Sequence, residues 1–155
     1  MKKDQKHQPV SITNRKAWHE YHIDETYETG IVLTGTEVKS IREHKASIQE
    51  AYCKLENGEV VILGMHISPY EQGNRSNVDP IRPRKLLLHK TEINKIDRKL
   101  KEKGYTLIPL KLYFNRGYAK LNIGLARGKK LYDKRETITQ RDIDRERRRE
   151  ESGRN

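Results

Sequence analysis

Two stretches of this chain order their apolar residues clearly enough to predict strands. From Ala51 to Ile67, two β-rich runs flank Asn57-Gly58, a dipeptide that tolerates the positive φ values of a tight type I′ turn, so a hairpin is predicted. Its second arm, Val60-Val61-Ile62-Leu63, is apolar on both faces and therefore suits a central strand with the core running through it. Near the end, Ile108, Leu110, Leu112 and Phe114 alternate with polar residues. After the Asn115-Arg116-Gly117 turn, Ala119, Leu121, Ile123 and Leu125 do the same. All of these alternating residues are expected in the core.

Helical spacing is sparser. Ile93, Ile96 and Leu100 share one face of a helix that Thr91 caps and that reaches Lys103 before Gly104. Tyr27 to Leu33 reads as a strand leading through Thr34-Gly35-Thr36 into a short helix, about Val38 to Glu43, with Thr36 as cap. Asn14 starts a short ordered turn into Ala17 and Trp18, and Trp18 is expected as a core ring rather than a base platform. Ser68 to Arg84, with Pro69, Gly73, Asn74, Pro80 and Pro83, is expected to be a long loop, mobile until something binds. Antiparallel strands with one well-formed helix between the later ones give a mainly β fold. It is a small oligonucleotide-binding-like antiparallel β-barrel with about three helices.

Composition sets where that barrel lies. Only 33% of the 155 residues are hydrophobic and 35% are charged, so a core forms only if the ends are left out of it. Residues 1–13 are expected as a flexible basic arm, 14–126 as the barrel domain and 127–155 as a charged C-terminal tail, disordered when free. The net charge is +11; eleven of the 33 basic and seven of the 22 acidic residues lie from Arg127 onward, which leaves the preceding chain at +7. A body that is basic in its own right points to a polyanion. Nucleic acid is favoured over a membrane, because no stretch carries a large apolar face.

Other classes are disfavoured by what is missing. A single cysteine, Cys53, allows no intramolecular disulfide and no Cys-rich zinc cluster, as suits a reducing cytosol. Met1-Lys2-Lys3 leads into no apolar run, and nowhere do about 18 apolar residues occur together, so a soluble cytoplasmic monomer without a membrane partner is expected. His19, Glu20 and His22 fall one residue short of the helical zinc spacing and would diverge on a strand. With no cluster to complete the shell, no metal and no cofactor is expected. Gly-rich phosphate cradles and Gly-x-Ser-x-Gly are absent, and Asp24-Glu25 reads as a solvated turn, so no catalytic residue is expected and the chain is not read as an enzyme.

Binding chemistry is better represented. Opposite the core, the last hairpin displays Lys111, Tyr113, Tyr118, Lys120 and Asn122. Cations neutralise phosphates and rings stack on unpaired bases, so this face suits non-helical RNA. Glu28, beside Gly30, stands apart as an acid. It either accepts from base amino groups, orients a neighbouring cation, or is a plain surface residue. The tail opens with Arg127, Lys129, Lys130, Tyr132, Asp133, Lys134 and Arg135, then mixes Arg141, Arg145 and Arg148 with acids. Thr139 can cap a helix from Gln140, with Asp144 and Arg148 at the favourable spacing of four. Ile143 is nearly its sole apolar residue, so this helix is expected to order mainly on a charged partner.

Six motifs then follow in order: Asn14-Arg15-Lys16-Ala17, His19-Glu20-Tyr21, Tyr27-Glu28-Thr29-Gly30, Gly35-Thr36-Glu37-Val38-Lys39-Ser40, Arg84-Lys85-Leu86-Leu87-Leu88, and Gly128-Lys129-Lys130 followed by Asp133-Lys134-Arg135. Through them nearly the whole chain resembles the small protein B family, the bacterial tmRNA-binding (SsrA-binding) proteins of trans-translation and ribosome rescue. The resemblance implies a non-catalytic adaptor whose barrel binds the tRNA-like domain of tmRNA. It puts Asn14, Glu28, Leu87 and Lys120 at positions of tmRNA contact, with His19, Lys39, Arg84 and Lys85 as neighbours. It also implies a tail that meets small-subunit rRNA of a stalled ribosome at the decoding centre, through the Asp-Lys-Arg region, and forms a helix in the empty mRNA channel. Alanyl-tRNA synthetase and elongation factor Tu enter as pathway partners by resemblance alone. Two positions depart from some members of the family: Tyr132 stands in place of His, which leaves ring stacking but no imidazole role, and His89 stands in place of Asn. A general single-strand-binding or ribosomal barrel protein, and an RNA-processing enzyme using His19 and Glu20, are the competing readings.

Overall fold

The computed structural model describes residues 9–129 and 140–149. In chain order the elements are β1 (Ser11–Thr13), α1 (Arg15–Glu20), β2 (Tyr21–Ile31), α2 (Gly35–Arg42), β3 (Ala46–Ser47), β4 (Tyr52–Glu56), β5 (Glu59–Leu63), β6 (His66–Ile67), β7 (Arg84–Leu87), α3 (Lys90–Leu100), β8 (Tyr105–Asn115) and β9 (Tyr118–Gly128). A 3-10 turn covers Glu71–Ser76. A further helix covers residues 140–149, and every one of its side chains is exposed.

The Asn57-Gly58 turn forms as expected, with φ of 50° and 75°, and it fixes β4 against β5 from Tyr52–Leu63 to Glu56–Glu59. β5 is central, paired with β4 on one side and β7 on the other. The main sheet runs β1-β8-β4-β5-β7-β2-β9, all antiparallel, and β8 also pairs with β9. That last pairing closes β8, β4, β5, β7, β2 and β9 into a barrel and removes their open edges. β3 and β6 form a separate two-stranded sheet. Val60, Ile62, Leu86, Leu112, Leu121, Ile123 and Leu125 fill the interior.

The last hairpin does not keep one face throughout. The β8–β9 register shifts between Pro109 and Lys111, and the extra residue of such a bulge reverses which side chains point inward. Leu107 and Leu112 join the barrel core, whereas Ile108 and Leu110 face outward and are buried with Ala17 of α1 and Ala126. Phe114 and Ala119 are only partly buried. α1 thus covers an outer patch of the barrel and presents Trp18 to solvent at 47% exposure, contrary to its expected core position.

Element boundaries also move. Residues 11–13 of the expected arm pair with β8 as Ser11–Tyr113, Ile12–Leu112 and Thr13–Lys111, an order supplied by the partner strand rather than by local apolar content. β2 starts at Tyr21, well before Tyr27, because Tyr21 to Gly30 finds a ladder partner along β9. β9 runs to Gly128, and the Lys129 N–H donates to Glu20 O at 2.8 Å, so the barrel continues to 129 rather than stopping at 126. Residues 1–8 of the arm lie outside the described residues.

Helix starts follow the capping box. Thr34, not Thr36, caps α2: its Oγ1 accepts from Glu37 N at 3.4 Å, and Glu37 Oε1 accepts from Thr34 N at 2.9 Å. Glu37 lies three residues after Thr34, the spacing this reciprocal pair requires. α3 begins at Lys90, and the backbone N–H of His89 donates to Glu92 Oε1 at 3.1 Å, leaving Thr91 inside the first turn. Ile96 is fully buried, with Ile93 and Leu100 packed beside it. The 68–84 loop is closed on itself by Asn77, which accepts from Tyr70 N and donates to Tyr70 O, both at 2.8 Å.

A charged cluster lies inside this scaffold. Glu37 and Arg84 are 3% and 1% exposed. Arg84 Nε donates to Glu37 Oε2 at 2.6 Å, Nη1 to Met65 O at 2.6 Å and Nη2 to Pro80 O at 3.0 Å, while the Arg82 guanidinium also donates to Glu37. Burial raises the Glu37 pKa, but hydrogen bonds from Arg82, the Thr34 N–H and Arg84 outweigh it and hold the carboxyl below its ordinary value. The cluster ties α2 to β7 and to the loop before it.

Candidate nucleic-acid interface

Strand parity decides which side chains leave the barrel. On β2, Thr29 and Ile31 are buried while Glu28 and Gly30 face out. On β7, Arg84 and Leu86 are buried while Lys85 and Leu87 face out. β9 turns Tyr118, Lys120 and Asn122 to the same side, and β8 adds Lys111 and Tyr113. Pairing aligns them. Leu87 lies opposite Gly30, Gly30 opposite Lys120, and Lys120 opposite Tyr113, a row across four strands that spans about 14 Å at the usual strand spacing. Beside it runs a second row, Glu28, Asn122 and Lys111.

The rows are joined by one hydrogen-bonded group. The Tyr113 hydroxyl reaches over β9 and donates to the Glu28 carboxylate, and it also donates to Asn122 Oδ1 at 3.0 Å. One phenol proton is thus shared by acceptors on two other strands. Partial burial, then the Glu28 hydrogen bond and charge, push the Tyr113 pKa up to about 12, so the phenol keeps its proton at neutral pH and continues to hold the carboxylate. Lys111 Nζ lies 5.6 Å from the Tyr113 ring centroid. Leu87 is 53% exposed and Tyr118 73%, apolar surface interleaved with the cations.

Not every expected contact residue joins this face. Arg84 is turned inward by the same parity that turns Lys85 and Leu87 outward, and its guanidinium is spent on Glu37 and two carbonyls; it positions β7 and offers nothing to a partner. Asn14 is likewise buried, its Nδ2 donating to Pro109 O at 2.9 Å and its Oδ1 accepting from Ala17 N at 3.3 Å, so it caps α1. His19 sits at the end of α1, next to the far end of the β2–β9 ladder, on the order of 20 Å along the strand from Glu28. Lys39 lies on α2 with its Nζ 5.5 Å from the Tyr70 ring centroid. Lys85 pairs with Glu59 at 2.9 Å on the outer face, and His89 is exposed two residues beyond Leu87.

The tail residues divide. Arg127 belongs to β9, its Nε 3.5 Å from Asp24 Oδ2, an oxygen that also accepts from Tyr105 Oη at 2.7 Å. Lys129 Nζ donates to Trp18 O at 3.2 Å. Arg141, Arg145 and Arg148 are exposed on the 140–149 helix, where Gln140 Nε2 donates to Asp144 Oδ1 at 3.2 Å. Lys130, Tyr132, Asp133, Lys134, Arg135 and the expected cap Thr139 lie outside the described residues. Among the described residues no group of three or more His, Cys, Asp or Glu is placed to hold a metal, and no helix is long and apolar enough to cross a membrane.

Gly30 is not among the expected contact residues. It shares the outward parity of Glu28, and a Cβ placed on it would meet Leu87 Cβ and Cδ1 at 3.4 Å, so the missing side chain leaves bare backbone beside an exposed leucine. The signal in the sequence was a glycine two residues from an acid inside a β-rich run.

Comparison with known proteins settles the family. The model described as SmpB protein matches residues 11–152. The chain belongs to the SmpB family. Relatives named SsrA-binding protein agree. That of Carboxydothermus hydrogenoformans is 59% identical over 137 residues, covering 88% of this chain and 92% of its own length. That of Bacillus subtilis is 57% identical over 137 residues, covering 88% of each. A solved chain described as "tmRNA-SmpB: a journey to the center of the bacterial ribosome" is 53% identical with a TM-score of 0.66, covering 79% of this chain and 86% of that one. Within the SmpB fold, the outer face of β7, β2, β9 and β8 gathers most of the expected contact residues on one surface.

Proposed function

We infer that this chain is a non-catalytic RNA-binding adaptor of trans-translation, acting in the cytoplasm as a monomer. Its barrel binds the tRNA-like domain of tmRNA and delivers it to stalled ribosomes. Its tail, from Lys130 on, occupies the decoding centre and the empty mRNA channel, with Tyr132, Asp133, Lys134 and Arg135 against small-subunit rRNA and Arg141, Arg145 and Arg148 along the channel. Alanyl-tRNA synthetase and elongation factor Tu work on the same RNA.

The observation that carries the barrel assignment is the registered row Leu87, Gly30, Lys120 and Tyr113 with Glu28 beside it, outward-facing on a basic body. Cations, rings and one held carboxylate on a closed antiparallel barrel suit unpaired bases and bent backbone rather than a regular duplex. The tail assignment is supported by the all-exposed 140–149 helix, which lacks an apolar face of its own and gains from a polyanionic surround.

Sequencing RNA that co-purifies with the chain tests the whole reading: one dominant tmRNA is expected, and a broad spread of RNAs would overturn it. Truncation after Lys129, beyond the last barrel hydrogen bond among the described residues, is expected to leave affinity for the tRNA-like domain within about twofold and to abolish peptide tagging on stalled ribosomes. Undiminished tagging would refute the tail assignment.

A further inference from the structure

Glu28 is an acid at the β2 end of the second row of a face otherwise suited to a polyanion, and it is held there. A carboxylate beside phosphates is repelled unless something in the RNA donates to it. Tyr113 fixes it from two strands away, and two residues along β2 lies the bare backbone of Gly30, which is flanked by Leu87 on one side and Lys120 on the other. The Glu28 and Gly30 Cα atoms are about 7 Å apart along β2, a spacing on the scale of one base.

The chemistry of the held group selects a base. An ionised carboxylate only accepts, through two oxygens in one plane, so it pairs best with two parallel N–H donors. The Watson–Crick edge of guanine offers N1–H and N2–H side by side. Adenine, cytosine and uracil each set at least one acceptor next to their donor on that edge, which a carboxylate repels. Recognition of that edge requires an unpaired nucleotide, as is usual for RNA read by side chains.

We propose that Gly30 floors a seat for one unpaired guanine of the bound RNA, with Glu28 reading the N1–H and N2–H edge, Leu87 packing on the base face and Lys120 meeting its phosphate. The proposal rests on the inferred binding of the tRNA-like domain. Gly30 is required because a methyl group would occupy the floor, while its φ is not in the left-handed region and the added Cβ makes ordinary contacts with Leu87 at 3.4 Å, so Gly30→Ala folds. Tyr113 is a positioning residue: it holds Glu28 and does not itself touch the base.

The test is binding of full-length chain to the tRNA-like domain of tmRNA, with each unpaired guanosine replaced singly by inosine, which lacks the N2 amino group. One position is expected to lose about tenfold in affinity with the wild-type chain and little more with Glu28→Gln, because the lost hydrogen bond is the same one. Gly30→Ala is expected to weaken binding by a similar factor with an unchanged unfolding midpoint, and Tyr113→Phe to shrink the guanosine-to-inosine ratio at that position, a readout that a general structural role would not move. If the wild-type chain binds the RNA but every inosine effect adds independently to Glu28→Gln, the guanine seat is overturned and the adaptor reading stands. If the wild-type chain does not bind the RNA, both fall.

Discussion

Glu28 and Glu37 lie nine residues apart, each bonded to groups far away in sequence, and the barrel uses them in opposite ways. Glu37 is shut inside with Arg82 and Arg84, where every oxygen is taken by a guanidinium or the Thr34 N–H. Glu28 is outside, held by a neutral phenol that leaves acceptor capacity on the carboxylate. The difference teaches that pairing alone does not mark a functional charge in this fold. What marks it is pairing that fixes the group without using it up.

The largest effect that would sharpen this contrast is on stability. Glu37→Ala strands the buried Arg84 guanidinium and takes the carboxylate from the part-exposed Arg82, and is expected to cost about 3–5 kcal/mol in urea unfolding, without lowering RNA affinity of the molecules that remain folded. Acid acts on the same place. Since Glu37 titrates below its ordinary value of 4.5, its contribution is complete above that value and is lost as pH falls through the lower folded value. Urea midpoints measured from neutral pH downward are expected to drop steeply in wild type and less in Glu37→Gln.

Glu28→Ala reverses the pattern. Unfolding is expected to change by no more than about 0.5 kcal/mol, while affinity for the tRNA-like domain falls by about 1–3 kcal/mol. Equal effects of Glu28→Ala on both quantities would break the contrast. The smallest expected effect is spectroscopic: the Tyr113 phenol, titrating near 12, is expected to titrate lower in Glu28→Gln by ultraviolet difference titration, though still above 10 because part of the shift is burial.

Turns and strand faces were legible from local chemistry, whereas the helix starts were misplaced by two residues: Thr34 rather than Thr36 caps α2, and His89 rather than Thr91 precedes α3. Asn57-Gly58 announced its hairpin, Val60 to Leu63 its central strand, and the outward set Lys111, Tyr113, Tyr118, Lys120 and Asn122 was readable as one face. Features that depend on a distant partner were not. The Pro109 bulge that reverses inward and outward residues arises from pairing with β9, and β1 is ordered only by β8. Arg84 illustrates the limit best: strand parity turns it inward with Leu86, but the partner that lets a guanidinium be buried there, Glu37, lies 47 residues away.

Amide chemical-shift mapping of the full chain titrated with the tRNA-like domain of tmRNA tests the central claim most directly. Shifts are predicted to concentrate on Glu28, Gly30, Leu87, Tyr113 and Lys120, with Glu37 and Arg84 little moved. Shifts confined to α1 around His19, or to α3, with that row unchanged, would contradict the account.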